Sequence, residues 1–206
     1  MNRLAAHLQP SLAGSLRTFS SALAAYSPEE QERIADALAA AAHWHGFVRR
    51  KSGPLYLAHL LQTATIVILV HSDIHTVQAA LLHDVLEDTP VTGLQLEQHF
   101  GKEIRRLVEA VTKHPTSSER EFLEKVYIRA QEDIRVGRIK LADRIANLTH
   151  GTHSVLSPEK ECIFLEETET YYLNSLCKLS EMPPALISLL VWVLSEAKHS
   201  ISKRIL

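Results

Sequence analysis

The sequence predicts an all-α, single-domain helical bundle. Three observations carry that expectation. Apolar residues recur at helical spacing nearly from end to end, with N-terminal capping residues opening several of the stretches. The 206 residues include only 7 Gly and 8 Pro, too few for a loop-rich or low-complexity chain. Neither βαβ alternation nor an internal repeat breaks the pattern, and the length suits one domain with a sizeable core.

The elements follow in order. Residues 1–26 read as an N-terminal extension, with loose attachment left open. "SPEEQERIADALAAAAHWH" opens a helix: Ser27 caps it, Pro28 takes the first helical position and Glu30 completes a capping box. Its Ala-rich body is a strong helix former. "SGP" at 52–54 interrupts. "LYLAHLLQTATIVILV", Leu55 to Val70, is apolar almost all round, the pattern of a buried helix. Its β-branched tail leaves a strand as the second reading.

After "HSDIH" comes a helix that ends in "HDVLED". "TPVTGLQLEQHFG" pairs Thr92 with Gln95 as a cap and stops at Gly101, and "KEIRRLVEAVTKH" is amphipathic. Pro115 to Ser118 form a polar loop. "EREFLEKVYIRAQEDIRVGRIKLADRIANLTHG" is one long helix or two, loosened near Gly137. Two further helices flank "EMPP".

Composition bounds the function classes. The formal charge is -2, so nothing in the bulk calls for nucleic acid or a membrane surface. Cys162 and Cys177 form neither a metal-type pair nor a disulfide framework, and free thiols in a reducing cytosol are the simplest expectation. The N-terminal stretch lacks the continuous apolar core of a signal peptide. The most apolar run, "ALISLLVWVL", is too short to span a bilayer. A cytoplasmic protein is expected.

The chemistry concentrates in "QAALLHDVLEDTPVT", where His83, Asp84, Glu87 and Asp88 fall within six positions. On a helix His83 aligns with Glu87 and Asp84 with Asp88, the two lines about 100° apart. An imidazole and three carboxylates then share one edge of a helix end. Such acids repel one another, and the dipole at a helix C-terminus favours positive charge instead. A bound divalent cation removes the conflict; a solvated, frayed end is the plainer alternative.

Further ligands must come from elsewhere. His59 sits inside the apolar helix, where a lone histidine is more often a hydrogen-bonded core residue. Asp143 sits inside "IKLADRIANL", where an unpaired acid is costly. It is either salt-bridged to Lys140 or Arg144, or a ligand. His59, His83, Asp84 and Asp143 together offer two nitrogens and two oxygens, a set suited to Mn²⁺, Fe²⁺ or Zn²⁺ rather than Ca²⁺. Asn147 shares the face of Asp143. Arg49, Arg50 and Lys51 are a solvated turn as a bare charge run, and a phosphate clamp if they stand beside a metal.

The order His59, His83–Asp84, Asp143 resembles that of the HD-domain phosphohydrolases. The segments "RKSGPLYLAH", "AALLHDVLEDT", "HFGKEIRRLVEAVTK" and "DIRVGRIKLADRIANL" resemble the hydrolase domain of the RelA/SpoT homologues, over roughly residues 40–150. The chain is too short for an added synthetase domain, so it is most similar to the small, single-domain alarmone hydrolases. The resemblance implies an HD-type bundle over 27–206. It implies Mn²⁺, or another divalent transition metal, held by His59, His83, Asp84 and Asp143. Glu87 and Asp88 activate and orient the hydrolytic water, and Arg50, Lys51 and Asn147 contact the nucleotide. The implied reaction removes pyrophosphate from the 3′ position of ppGpp or pppGpp, leaving GDP or GTP. No covalent nucleophile is needed, which fits the lack of a convincing Ser or Cys site.

Three places depart from the family's pattern. Pro54 stands earlier than the usual proline near Tyr56, Gly137–Arg138 replaces an apolar pair, and Lys113–His114 falls where relatives vary. These bear on nucleotide selectivity rather than on the metal. The same site acting on (p)ppApp or on the 2′-phosphate of NADPH is one alternative. A non-catalytic alarmone-binding regulator is another, although such members tend to lose the Glu-Asp pair kept here as Glu87–Asp88. The expected partner is a small nucleotide, with neither nucleic acid nor membrane, and a homodimer is left open.

Overall fold

A computed structural model describes residues 11–51, 53–149 and 156–205. Residues 1–10 of the extension, Ser52 of the "SGP" break and residues 150–155 lie outside the described residues. Among the described residues the chain is helical and forms no β-sheet; a single antiparallel bridge joins Arg49 to Leu55.

Helix α1 spans Leu12–Leu23, capped by Ser11, and buries Phe19. The segment expected as an extension therefore includes a helix docked on the bundle. Helix α2, Pro28–His45, begins with the full Ser27–Glu30 capping box and ends at Gly46, whose φ of 56° suits glycine. Helix α3, Tyr56–Leu69, is buried at every position from Ala58 to Ile68, which settles the strand-or-helix alternative for this segment. Leu60, Leu61 and Val67 are wholly buried, each worth about 1.5–3 kcal/mol of transfer free energy. Helices α1 and α2 pack beside it.

Helix α4 runs Ile74–Leu82 and the short α5 Val85–Asp88. The expected unbroken helix ending in "HDVLED" is thus divided between Leu82 and Val85. The cause is local: Ala80 O, a carbonyl of the last turn of α4, is engaged by the His83 ring at 2.8 Å, and Asp84, at φ -101° and ψ 0°, sits at the edge of the helical region. The acids Glu87 and Asp88 therefore lie in the first turn of α5, not at the C-terminus of α4.

Helix α6, Gly93–Val111, carries the Thr92–Gln95 capping box and is interrupted at Gly101, where φ is 85° and ψ 169°. Helix α7 spans Glu119–Glu132 and α8 Ile134–Thr149. The chain breaks between them at Asp133, not near Gly137 as expected. Asp133 is extended (φ -147°), and its carboxylate accepts from the Arg135 N–H at 3.0 Å while binding the guanidinium groups of Arg106 and Arg135. Gly137 stays helical. It serves close packing instead, since a Cβ there would meet Ala130 Cβ and Met182 Cε, each at 3.1 Å.

Helix α9, Pro158–Glu167, runs into a π-helical turn, Thr168–Leu173; a 3₁₀ turn, Leu176–Lys178, precedes α10, Pro184–Ile205. Helices α3, α4 and α8 form the centre, with α6, α7 and α10 packed around them. No helix among the described residues is long and apolar enough to cross a membrane. Both cysteines are free, Cys162 exposed and Cys177 buried.

Candidate metal centre

The three central helices bring one cluster together. His59 lies in the first turn of α3, His83 at the end of α4 and Asp143 in the middle of α8, and all three are buried. One ligand atom from each falls within 4.8 Å of the others. His59 Nε2 stands 3.2 Å from Asp143 Oδ1 and 3.8 Å from Asp84 Oδ2. His83 Nε2 stands 2.9 Å from Asp84 Oδ2 and 3.6 Å from Asp143 Oδ1. Three of the residues singled out as ligands in the sequence, His59, His83 and Asp143, thus converge from three helices, and the fourth, Asp84, places Oδ2 beside both histidines.

The hydrogen bonds orient the set for a cation. His83 Nδ1 faces the Ala80 carbonyl, which only accepts, so this nitrogen carries a proton and Nε2 points into the cluster. There His83 Nε2 is buried, near Asp84 Oδ2 yet not aligned for a hydrogen bond. Burial alone would lower the His83 pKa, but the Asp84 and Asp143 carboxylates outweigh it and push the value up to about 10. Burial would raise both carboxyl groups; the His83 imidazole holds Asp84 below the usual carboxylate range, and Lys140 with the two imidazoles does the same for Asp143. Burial also lowers the His59 pKa, favouring the neutral ring that can ligate. Two carboxylates that demand positive charge, Asp143 buried and Asp84 half-buried, facing two imidazole nitrogens, are a donor set that fits a divalent metal.

Asp143 resolves its two sequence alternatives by dividing its oxygens. Oδ2 accepts from Lys140 Nζ at 2.8 Å, while Oδ1 faces the histidines and accepts from Asn147 Nδ2 at 2.7 Å. Arg144, the other candidate salt-bridge partner, points away toward Phe164, Thr168 and Tyr172. Asn147 in turn accepts from Arg50 Nη2 at 2.5 Å. Arg50 and Asn147, far apart in sequence, therefore stand together beside the cluster. The loop carrying Arg50 folds back on itself, with Arg50 N–H donating to Pro54 O and Tyr56 N–H to Val48 O, both at 2.9 Å.

The other candidates stand farther out. Lys51 is exposed at the turn after Arg50, and Arg49 donates to Gly53 O at 3.0 Å. Glu87 is exposed on α5 and accepts from the Lys113 N–H at 2.5 Å. Although the residue as a whole is exposed, partial shielding of its carboxyl group from water raises its pKa, opposed by that bond and aided by the Asp84 charge. Asp88 is exposed beside it, and its charge reaches His45 and Tyr56.

Three residues at the site were not read from the sequence as site residues. Tyr56 donates its hydroxyl to Asp84 Oδ2, Lys140 holds Asp143, and His45 stacks on Tyr56 with centroids 5.1 Å apart. For Tyr56 a signal existed, since it precedes His59 by three residues and so shares its helix face. His45 lies on another helix, and no spacing points to it.

Comparison with known proteins agrees with this geometry. The HD domain family profile matches residues 35–173. The chain belongs to the HD domain family. Among curated relatives this HD domain is 38% identical over 155 residues to the bifunctional (p)ppGpp synthase/hydrolase SpoT of Escherichia coli K12, covering 71% of this chain and 22% of that protein. It is 37% identical over 155 residues to the GTP pyrophosphokinase rsh of Brucella ovis, covering 71% and 20%. The chain spans about a fifth of the length of these relatives. A solved structure described as a metazoan orthologue of SpoT that hydrolyses ppGpp matches with a TM-score of 0.69 at 24% identity, over 83% of this chain and 97% of that one. A second, lmo0812 from Listeria monocytogenes, matches at 0.53 and 23%, over 66% and 99%. Both likenesses concern the fold.

Proposed function

We propose that this HD domain is a metal-dependent hydrolase that releases pyrophosphate from the 3′ position of (p)ppGpp. The observation that carries the reading is the convergence of His59, His83 and Asp143, with Asp84 against both histidines, beside the Arg50–Asn147 pair. The likeness to proteins named for (p)ppGpp hydrolysis supplies the substrate class.

His59, His83, Asp84 and Asp143 would hold the ion, read as Mn²⁺, and the chemistry it would supply is a more acidic water and an offset to phosphate charge. The chain's own groups do the rest. Arg50 and Lys51 receive the phosphates, and Asn147 holds Arg50 in place while orienting the nucleotide. Glu87, whose carboxyl pKa is raised, takes the proton from the attacking water, and Asp88 orients that water. The new bond joins the water oxygen to the phosphorus attached to the ribose 3′ oxygen. The bond to that 3′ oxygen breaks, and it receives the proton.

The test is turnover with Mn²⁺ on ppGpp, pppGpp, ppApp and NADPH, with Asp84→Ala as control. Pyrophosphate from the guanosine compounds, absent in the variant, is the expected result. Pyrophosphate from ppApp alone, or phosphate from NADPH alone, would move the substrate and keep the site. Binding of ppGpp without turnover would make the protein a regulator and defeat the proposal.

A further inference from the structure

Tyr56 sits where the two halves of the site meet. Its hydroxyl donates to Asp84 Oδ2, the oxygen that faces both histidines. The Arg50 guanidinium lies over its ring, 5.9 Å from the centroid. The His45 imidazole is stacked against the ring at an interplanar angle of 19°, and His59 meets it edge-on, with centroids 5.7 Å apart. His45 is itself buried, with Nε2 lacking a hydrogen-bond partner. Tyr56 thus touches one candidate metal ligand by hydrogen bond, a second by ring contact and the candidate phosphate-binding arginine by its π face.

We propose that Tyr56 is a positioning residue that sets the metal ligand Asp84 through its hydroxyl and the nucleotide-binding Arg50 through its ring. The inference rests on the reading of the cluster as a metal centre. A carboxylate with no outer hydrogen bond rotates freely about its last torsion; a donor fixed to one oxygen selects one rotamer. A carboxylate oxygen only accepts, so the phenol hydroxyl is the donor of this bond. The ring is held in turn by the His45 imidazole, so its plane is set before any ligand arrives. Loss of an outer partner of this kind lowers metal affinity about 10–100-fold. An arginine over an aromatic face loses a seat when the ring is removed.

Two variants separate the two roles. Tyr56→Phe keeps the ring and removes the hydroxyl; Tyr56→Leu removes both. Mn²⁺ affinity is read without substrate, by titration against a competing chelator, after circular dichroism has shown that each metal-free variant is folded. Both variants are expected to bind Mn²⁺ about 10–100-fold more weakly than wild type. With Mn²⁺ in large excess, Tyr56→Phe recovers kcat, whereas Tyr56→Leu keeps a KM raised several-fold through Arg50. Wild-type Mn²⁺ affinity in Tyr56→Phe overturns the hydroxyl role. An equal KM rise in both variants overturns the ring role. If wild type bound no metal at all, the metal-centre reading would fail first, and it would fail in a different sample. If wild type bound metal and turned over no nucleotide, the affinity comparison would still decide the hydroxyl role.

Discussion

The Lys140–Asp143 pair allows the structural and chemical roles of one aspartate to be measured apart. Asp143 is buried and Lys140 mostly so, their side chains 7% and 13% exposed, and Lys140 Nζ stands 2.8 Å from Asp143 Oδ2. Burial would lower the lysine pKa; the Asp143 carboxylate overrides it and holds the ammonium charged. Asp143→Ala leaves that ammonium without its carboxylate in a site with little water. Breaking a buried pair from one side costs about 3–5 kcal/mol. The Phe122 ring, 5.0 Å from Nζ, remains and returns part of the loss, of order 0.5–1 kcal/mol. The expected cost is about 3 kcal/mol.

Urea unfolding of the metal-free protein, in chelator, reads that cost with no contribution from a bound ion. The double variant Lys140→Met, Asp143→Ala removes the stranded charge and keeps most of the volume. It should recover most of the lost stability, because apolar replacements of buried ion pairs are often neutral or better. It should recover none of the turnover, because Asp143 Oδ1 faces the histidines and not the lysine. A single-variant cost below about 1 kcal/mol would refute the reasoning, since Lys140 would then have reached water. Recovery of turnover in the double variant would refute the assignment of Oδ1 to the metal.

Gly101 has φ 85° and ψ 169°, and nothing lies within 4 Å of a Cβ built there, so Gly101→Ala should cost about 1–3 kcal/mol by backbone strain alone; an unchanged urea midpoint would refute this. Asp133 ends α7, accepts from the Arg135 N–H and binds two guanidinium groups, so Asp133→Ala should cost about 2 kcal/mol in thermal or urea unfolding. Burial would raise its pKa, but Arg135 and Arg106 hold it below the ordinary carboxylate range. A depressed folded-state value means the stabilisation is present at neutral pH, begins to fade below the unfolded-state pKa and is lost as pH falls through the folded one. The gap between wild type and Asp133→Ala should therefore close in acid; a gap that persists there would contradict the pairing.

Much of the fold was legible because the signals are local. Ser27 with Glu30 and Thr92 with Gln95 form the capping boxes their spacing announces, and the apolar run of α3 is buried along its length. The proximity of the four candidate ligands was legible because His59 and Asp143 each put a polar group into an apolar helix and His83–Asp84 closes a third. The misplaced breaks have tertiary or side-chain causes. Glycine at 137 looked like the weak point of a long helix, yet it is tolerated in the helix because α7 and Met182 press against it. The true break at Asp133 depends on Arg106, which reaches it from α6. The division after Leu82 depends on a ring nitrogen taking a helix carbonyl, which no periodicity reveals.

The same conflict of charges that marks the cluster bears on the phosphate binding proposed for it. In the metal-free protein the carboxylates of Asp84 and Asp143 face His83, whose pKa they push up to about 10, so the ring carries the positive charge they demand. Lys140 stands behind Asp143, on the oxygen turned away from the histidines, so its charge offsets the carboxylate without occupying the ligand position. A divalent ion held by the proposed ligands would take the place of the His83 proton and add a net positive charge on the side where Arg50 stands. Under the proposed function that added charge would strengthen the hold on a phosphate ester. Tyr56, in contact with both Asp84 and Arg50, lies between the proposed metal ligands and the proposed phosphate seat.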